Sequence, residues 1–338
     1  MRRGPIKYIV PGILAVALPF VLPGYYMHML ILVLLWITLA TAWNLLGGYA
    51  GQVSFGHSLF FGLGAYGGGL LFYYFGISTW WGMLLGPIWA VIVAIPIGLI
   101  TFRLRGPYFA LAMLAMAEVA RIIFNSWTTF SNGAVGIMIS RTWGGNKLPY
   151  YAIILAIAGL TLYVTRRLVR SKFGYYFLSI REDQDAAEAL GIHSTRYKLY
   201  ALIASVFFTA LAGAFYMNYM AFIQPDVVFD LTDISIMMIL CVMLGGAGTE
   251  WGPALGAAVY VLLAECFRTV PVIKEVHLLA FAIIIIGIIM FLPDGIIGSW
   301  DKVSRCFVRP PAAETAAAGQ FEPGPAAEEE VRKPEAEL

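Results

Sequence analysis

The sequence predicts an all-α integral membrane protein of about ten transmembrane helices, with both termini in the cytoplasm. Three observations predict it. The 338 residues are 60% hydrophobic and 12% charged, where a soluble domain carries roughly 25% charged residues. With a mean hydropathy of +0.79, such a chain needs lipid as part of its solvent. Apolar runs recur at lengths near the 20 or so residues that a span requires. Finally, Lys and Arg gather in alternate connections, the bias that orients a helix bundle in a bilayer.

The candidate spans, in order, are 8–22, 27–46, 58–75, 80–102, 108–124, 150–164, 199–220, 234–244, 253–267 and 277–292. The first follows Met1-Arg2-Arg3 without a convincing small-residue cleavage site, so it reads as a retained helix rather than a signal peptide. The 234–244 run is short, and the glycine-rich stretch after it leaves open a broken or re-entrant piece buried in protein. With the N-terminus inside, ten crossings place Arg103, Arg105, Arg166, Arg167, Arg170, Lys172, Arg181, Arg196 and Lys198 on the cytoplasmic side. Arg141, Lys147, Lys274 and the acidic Asp226, Asp230 and Asp233 fall outside.

Two polar connections are long. The 125–149 segment, rich in Trp, Gly, Ser and Asn, suits a folded exterior loop or a short interfacial helix; 166–198 faces the cytoplasm. The transmembrane domain spans 1–308. From Pro310 the composition turns to Pro, Ala and Glu, with two basic and seven acidic residues (2 − 7 = −5), against +7 for the rest of the chain. The 309–338 segment is expected to be a disordered acidic tail.

Four motifs carry chemistry. In the glycine-dense run from Ala42 to Tyr66, Asn44, Gln52, Ser54 and His57 supply hydrogen-bonding side chains at a membrane boundary. Such a broken hairpin can line a solute path; equally, it can be a turn and a close helix contact that only hold the fold. Next, Glu182, Asp183, Asp185, Ala186, Ala187, Glu188, Ala189, Leu190 and Gly191 read as one short helix. Its acids sit at the positive end of the dipole, its Ala and Leu favour helix, and its glycine stands at C′. A nine-residue helix is marginal alone, so it docks on a cytoplasmic partner or on its own bundle. Third, Glu118 lies inside a span, three residues before Arg121, on the same face; a buried pair and a role in solute selection both fit. Fourth, Arg103-Leu104-Arg105-Gly106-Pro107 reads as a turn entering a helix at Pro107, with arginines that anchor at headgroups or touch a partner.

Nothing in the sequence matches a phosphate-binding loop ending in Gly-Lys-Ser or Gly-Lys-Thr, so no ATP site is expected on this chain. No metal-ligand cluster is legible among its four histidines and three cysteines, and no nucleophile–base pair.

Together these motifs resemble the M-type permease subunit of high-affinity branched-chain amino acid ABC importers. The resemblance rests on the stretch from Asn44 to Tyr66, on Arg105-Gly106-Pro107-Tyr108-Phe109-Ala110-Leu111, on the stretch from Arg181 to Ile192, and on Leu244-Gly245-Gly246-Ala247-Gly248-Thr249 with Gly252-Pro253. It implies a type II-like importer fold in the bacterial inner membrane. It also implies a second related permease, two cytoplasmic ATP-binding subunits that use ATP and Mg, and an extracytoplasmic solute-binding protein. The 182–191 helix matches the position of the family's ATPase-coupling element. Similar permeases serve urea, short amides or other amino acids. A stand-alone ion-coupled carrier would need an intramembrane ionisable group, for which Glu118 is the candidate. A membrane enzyme would need convergent acid, base or metal groups, which are not visible.

Overall fold

The computed structural model describes residues 24–140, 143–269 and 295–298. The expected spans at 8–22 and 277–292 and the acidic tail at 309–338 lie outside the described residues. The described residues are mostly helical. The long helices are α1 (Gly24–Asn44), α2 (His57–Phe75), α3 (Thr79–Thr101), α4 (Pro107–Ser126) and α5 (Leu148–Val169). Two short helices follow, α6 (Lys172–Glu182) and α7 (Gln184–Ala189), then α8 (Ser194–Met220), α9 (Met237–Gly245) and α10 (Gly252–Thr269).

Among the described residues, six helical stretches are long and apolar enough to cross a membrane: Gly24–Tyr49, Thr79–Thr101, Pro107–Ser126, Leu148–Val169, Ser194–Met220 and Pro225–Gly245. The expected 58–75 span is a 19-residue helix, but its glycines and tyrosines dilute its hydropathy. The 253–267 span is a shorter apolar helix. The 234–244 segment proves longer than expected: a one-turn helix at Pro225–Val228 and a π-helical turn at Leu231–Ile236 lead into α9. Asp230 starts that turn, its Oδ1 accepting from the Asp233 amide at 2.6 Å.

The bundle is organised around α8, which packs on α1, α2 and α3. Small residues bring the backbones into contact. A Cβ added at Gly64 would stand 2.1 Å from the Ala210 carbonyl oxygen, and one at Gly213 2.1 Å from that of Phe61. On the other face of α2, a Cβ at Gly86 would stand 2.5 Å from the Gly64 carbonyl. In lipid, close van der Waals packing of this kind drives helix association. Helix α4 is peripheral. Only the stripe Phe109, Met113 and Ala117 is buried, while Tyr108, Leu111, Val119, Ile122 and Ile123 are exposed. It begins at Pro107, as the sequence implies.

In the 125–149 connection, the described residues include a one-turn helix at Thr128–Ser131 and a strand β1 (Ile137–Met138). This strand pairs antiparallel with β2 (Phe222–Ile223) after α8, Ile137 opposite Ile223.

At the other end, the single helix expected over 182–190 is corrected to two. Glu182 ends α6, and Asp183 breaks the helix with extended backbone, φ −154° and ψ 113°. The cause is local: Asp183 Oδ1 accepts from the amides of Asp185 (2.9 Å) and Ala186 (3.0 Å), capping α7. Leu190 is the C-cap. Gly191 is left-handed at φ +85°, as expected of C′.

The glycine contacts make a prediction. Gly213→Val should lower the thermal midpoint of the detergent-solubilised chain, an overpacking cost of about 1–3 kcal/mol or more. Gly159→Ala, inside α5 with nothing within 4 Å of its added Cβ, should leave the midpoint unchanged or raised.

Candidate functional site

The polar groups concentrate where two glycine-rich turns meet. Helix α1 ends in a π-helical turn, Leu45–Tyr49. Its Gly48 lies against the turn after α9, close enough that a Cβ there would stand 2.7 Å from the Gly248 amide nitrogen. Asn44 closes the junction with both ends of its amide: Oδ1 accepts from the Gly248 amide at 2.9 Å and Nδ2 donates to the Thr249 carbonyl at 3.0 Å. From α6, Arg181 Nη1 donates to the Gly48 carbonyl at 2.8 Å. Glu250 extends the junction to the end of α5, accepting from Arg170 Nε at 2.7 Å and Nη2 at 3.0 Å, with Arg166 Nε at 3.6 Å.

Helix α7 hangs beside this junction. Ala187 is its buried side chain. Gln184 receives the Lys198 ammonium at 2.6 Å and donates to Glu188 at 2.9 Å, and Ser194 Oγ donates to the same Glu188 oxygen. Arg105, read as a headgroup anchor or a partner contact, instead reaches Asp185 at 2.9 and 3.1 Å. Both members of that pair are exposed, so it contributes at most about 1 kcal/mol. The outward face presents Asp185, Ala186 and Ala189, with Leu190 82% exposed.

The expected path residues separate. His57 and Ser54 are fully buried, Asn44 nearly so, and Gln52 is half-buried. His57 Nε2 is 2.8 Å from Ser205 Oγ, which is 2.6 Å from the Ala42 carbonyl. A hydroxyl has one proton and a carbonyl can only accept. The serine proton therefore goes to Ala42, and His57 donates to Ser205. The chain ties α2, α8 and α1 together. Ser54 offers its carbonyl to Trp43 Nε1 at 2.8 Å.

Glu118 forms the expected pair with Arg121 on one helical face, with its side chain 42% exposed on the surface of the bundle. Arg121 Nη1 also donates to Asp226 at 2.6 Å, and Asn125 donates to that aspartate. With its charge answered by a guanidinium, Glu118 is a poor ion-coupling group. Among the described residues, no three His, Cys, Asp or Glu side chains converge as a metal ion would need.

Sequence reading missed Ser205, Glu250 and the reach of Arg181. Glu250 gave a signal, an acid directly after a glycine-rich turn, and Arg166 and Arg170 stand four apart on one helical face. Nothing local announces Ser205.

The junction and α7 each yield a prediction. Asn44→Ala strands two backbone groups, so the thermal midpoint should drop by the equivalent of about 1–3 kcal/mol. Hydrogen bonds, first from Ser194 and then from Gln184, hold the Glu188 carboxyl below its ordinary range. The stabilisation is therefore present above that range and lost as pH falls through the depressed value. Ser194→Ala should raise the Glu188 titration midpoint, read by carboxylate NMR.

The family model described as branched-chain amino acid transport system / permease component matches residues 25–292. The chain is similar to the high-affinity branched-chain amino acid transport system permease protein LivM of Escherichia coli, at 26% identity over 314 residues, covering 84% of this chain and 73% of the relative. The LivM of Salmonella typhimurium is similar to the same degree. A probable branched-chain amino acid transport permease protein LivM of Methanocaldococcus jannaschii is 26% identical over 276 residues, covering 69% of this chain and 79% of the relative. No solved structure is significantly similar.

Proposed function

Because the chain belongs to the branched-chain amino acid transport permease family, we propose that it carries leucine, isoleucine and valine by alternating access, with α7 and its flanks as the lever worked by a cytoplasmic ATPase. The chain is a multi-pass membrane permease subunit of a branched-chain amino acid ABC importer. An importer of this class works with ATPase and solute-binding components. The finer assembly is our reading: a second related permease, two ATP-binding subunits that use ATP and Mg, and an extracytoplasmic binding protein, set in the bacterial inner membrane. So are ten crossings, cytoplasmic termini and a type II-like arrangement.

The observation that carries the lever is the pairing of a fixed inner side with a bare outer one. The α7 helix is tied to α8 through Gln184, Glu188, Ser194 and Lys198, yet it presents an 82% exposed Leu190. A leucine so exposed at the tip of a capped helix suits a partner's apolar pocket. Behind it, α6 carries Arg181 onto the Gly48 carbonyl, so a push on α7 has a route to the end of α1. The polar path is proposed to run along Gln52 and the face of α2, with Asn44, Ser54 and His57 holding its wall in register. Glu118, ion-paired with Arg121, is proposed to face the path's outer margin.

The experiment separates docking from transmission. In membranes carrying the whole importer, Leu190→Asp should abolish co-purification of the ATPase. Arg181→Ala should keep the ATPase bound while leucine uptake per ATP hydrolysed falls about tenfold. Retained capture in Leu190→Asp, or unimpaired coupling in Arg181→Ala, would count against the lever. Competition of that uptake by isoleucine and valine but not by urea or glutamate is the expected substrate pattern.

A further inference from the structure

The face of the bundle between α3, α5 and α8 holds a groove of about 490 Å³ with an apolar wall: Ile88 and Ile92 of α3, Leu160 and Val164 of α5, and Ile203 and Phe207 of α8. It opens to the surface, where Ile88, Ile92 and Leu160 are exposed. A cavity of about 150 Å³ already holds benzene, so the groove has room for a stretch of acyl chain. Toward the α6 end, a second hollow of about 240 Å³ opens on α5, lined by Tyr163, Arg166, Arg167 and Arg170. Neither lining contains an acidic side chain.

We propose that groove and hollow together bind one anionic glycerophospholipid, its phosphate held by Arg167 and Arg196 and one acyl chain laid in the groove. This goes beyond the importer reading and needs only that α5 and α8 span the bilayer. The two rims carry the same order of residues. On α5, Leu160, Val164 and Arg167 stand at i, i+4 and i+7, one face of a helix. On α8, Phe207, Ile203, Tyr200 and Arg196 make the matching stripe in the opposite chain direction. Each rim therefore passes from apolar wall to arginine toward the end where α6 begins. Tyr163 and Tyr200 stand one turn short of those arginines, and both are exposed, the placement of tyrosines at headgroup level. Phe173, at the start of α6, sets its ring 5.9 Å from that of Tyr200, so the end of α5 and the first turns of α8 stand at one level.

Charge selects the occupant. Arg166 and Arg170 are engaged by Glu250. Arg167 and Arg196 are exposed, and among the described residues neither side chain has a hydrogen bond or ion pair. A guanidinium presents a planar fork of donors that matches a phosphate. Basic hollows between membrane helices are where anionic headgroups bind. A phosphodiester answers both charges while it stays at the water surface, and its chain covers the apolar wall below. A second permease lying over the groove would have to bury both guanidiniums, and a buried charge without a partner is costly. The lipid needs no such burial.

The whole importer, purified in a nonionic detergent, is irradiated with a phosphatidylglycerol that carries a diazirine on its acyl chain. The labelled peptides should come from α3 and α8 along the groove. Unlabelled phosphatidylglycerol should displace the probe at about a tenth of the concentration that phosphatidylcholine requires. Glycerol phosphate, a headgroup without chains, should not displace it. Arg167→Gln combined with Arg196→Gln should abolish the preference and keep the thermal midpoint, since neither side chain supports a bond among the described residues. Ala204→Phe, which fills the groove from α8, should lower labelling by phosphatidylglycerol and phosphatidylcholine probes alike. Equal displacement by the two lipids, displacement by glycerol phosphate, or a preference that survives in the double variant would overturn the site. So would capture of the second permease by a photocrosslinking residue placed at Ala204, which would show protein in the groove.

Discussion

The interaction on which the rest of the structure depends is the meeting of two backbones, Gly48 at the end of α1 and Gly248 after α9, held by Asn44 and Arg181. Asn44 and Gly248, 204 positions apart, come within hydrogen-bond reach because neither Gly48 nor Gly248 carries a Cβ at the contact. Backbone amides and carbonyls exposed by such turns must find partners in a membrane protein, since lipid offers none. Asn44, with one acceptor and one paired donor group, answers two of them. Arg181 answers a third from outside the membrane helices.

That choice of partners has a mechanical consequence. Had Gly48 been satisfied within α1, the helix would have ended independently of α6. Instead the Gly48 carbonyl of its closing π turn is bonded to an arginine on α6, next to the capped α7. Glu250 binds the same turn to the end of α5 through Arg170. Elsewhere the bundle is joined by small-residue contacts, Gly64 with Ala210 and Gly213 with Phe61, and by the buried chain from His57 through Ser205 to Ala42. The centre of the bundle is thus close-packed backbone. On the proposed lever, the polar junction at its end is where a shift of α6 and α7 is passed on.

Much of this was legible in the sequence, for identifiable reasons. Pro107 and Gly191 are signals that act within a turn of where they stand, and each appears in the fold as expected; of the apolar runs, those among the described residues form helices, six of the helical stretches being long and apolar enough to cross a membrane. The break at Asp183 was not, because the Ala and Leu around it favour helix and the deciding term is one carboxylate oxygen accepting two amides. The extra length before α9 was hidden for the same kind of reason: Pro225, Asp226 and Asp230 look like loop but lead into a π turn. Of the site, the sequence pointed to Asn44 and His57 as hydrogen-bonding residues. What they bond to, between 148 and 205 positions away, depends on how distant helices pack. The groove between α3, α5 and α8 draws on three helices, and no local pattern marks it.

The most direct test of the central claim is a double-mutant cycle between Asn44 and Arg181, read as leucine molecules imported per ATP hydrolysed in proteoliposomes. Two side chains that serve one junction should be non-additive: once Asn44→Ala has loosened the turn, adding Arg181→Ala should cost little more. Losses that multiply independently would mean that the two residues act through separate routes, and the junction would not be the link between α7 and the helix bundle.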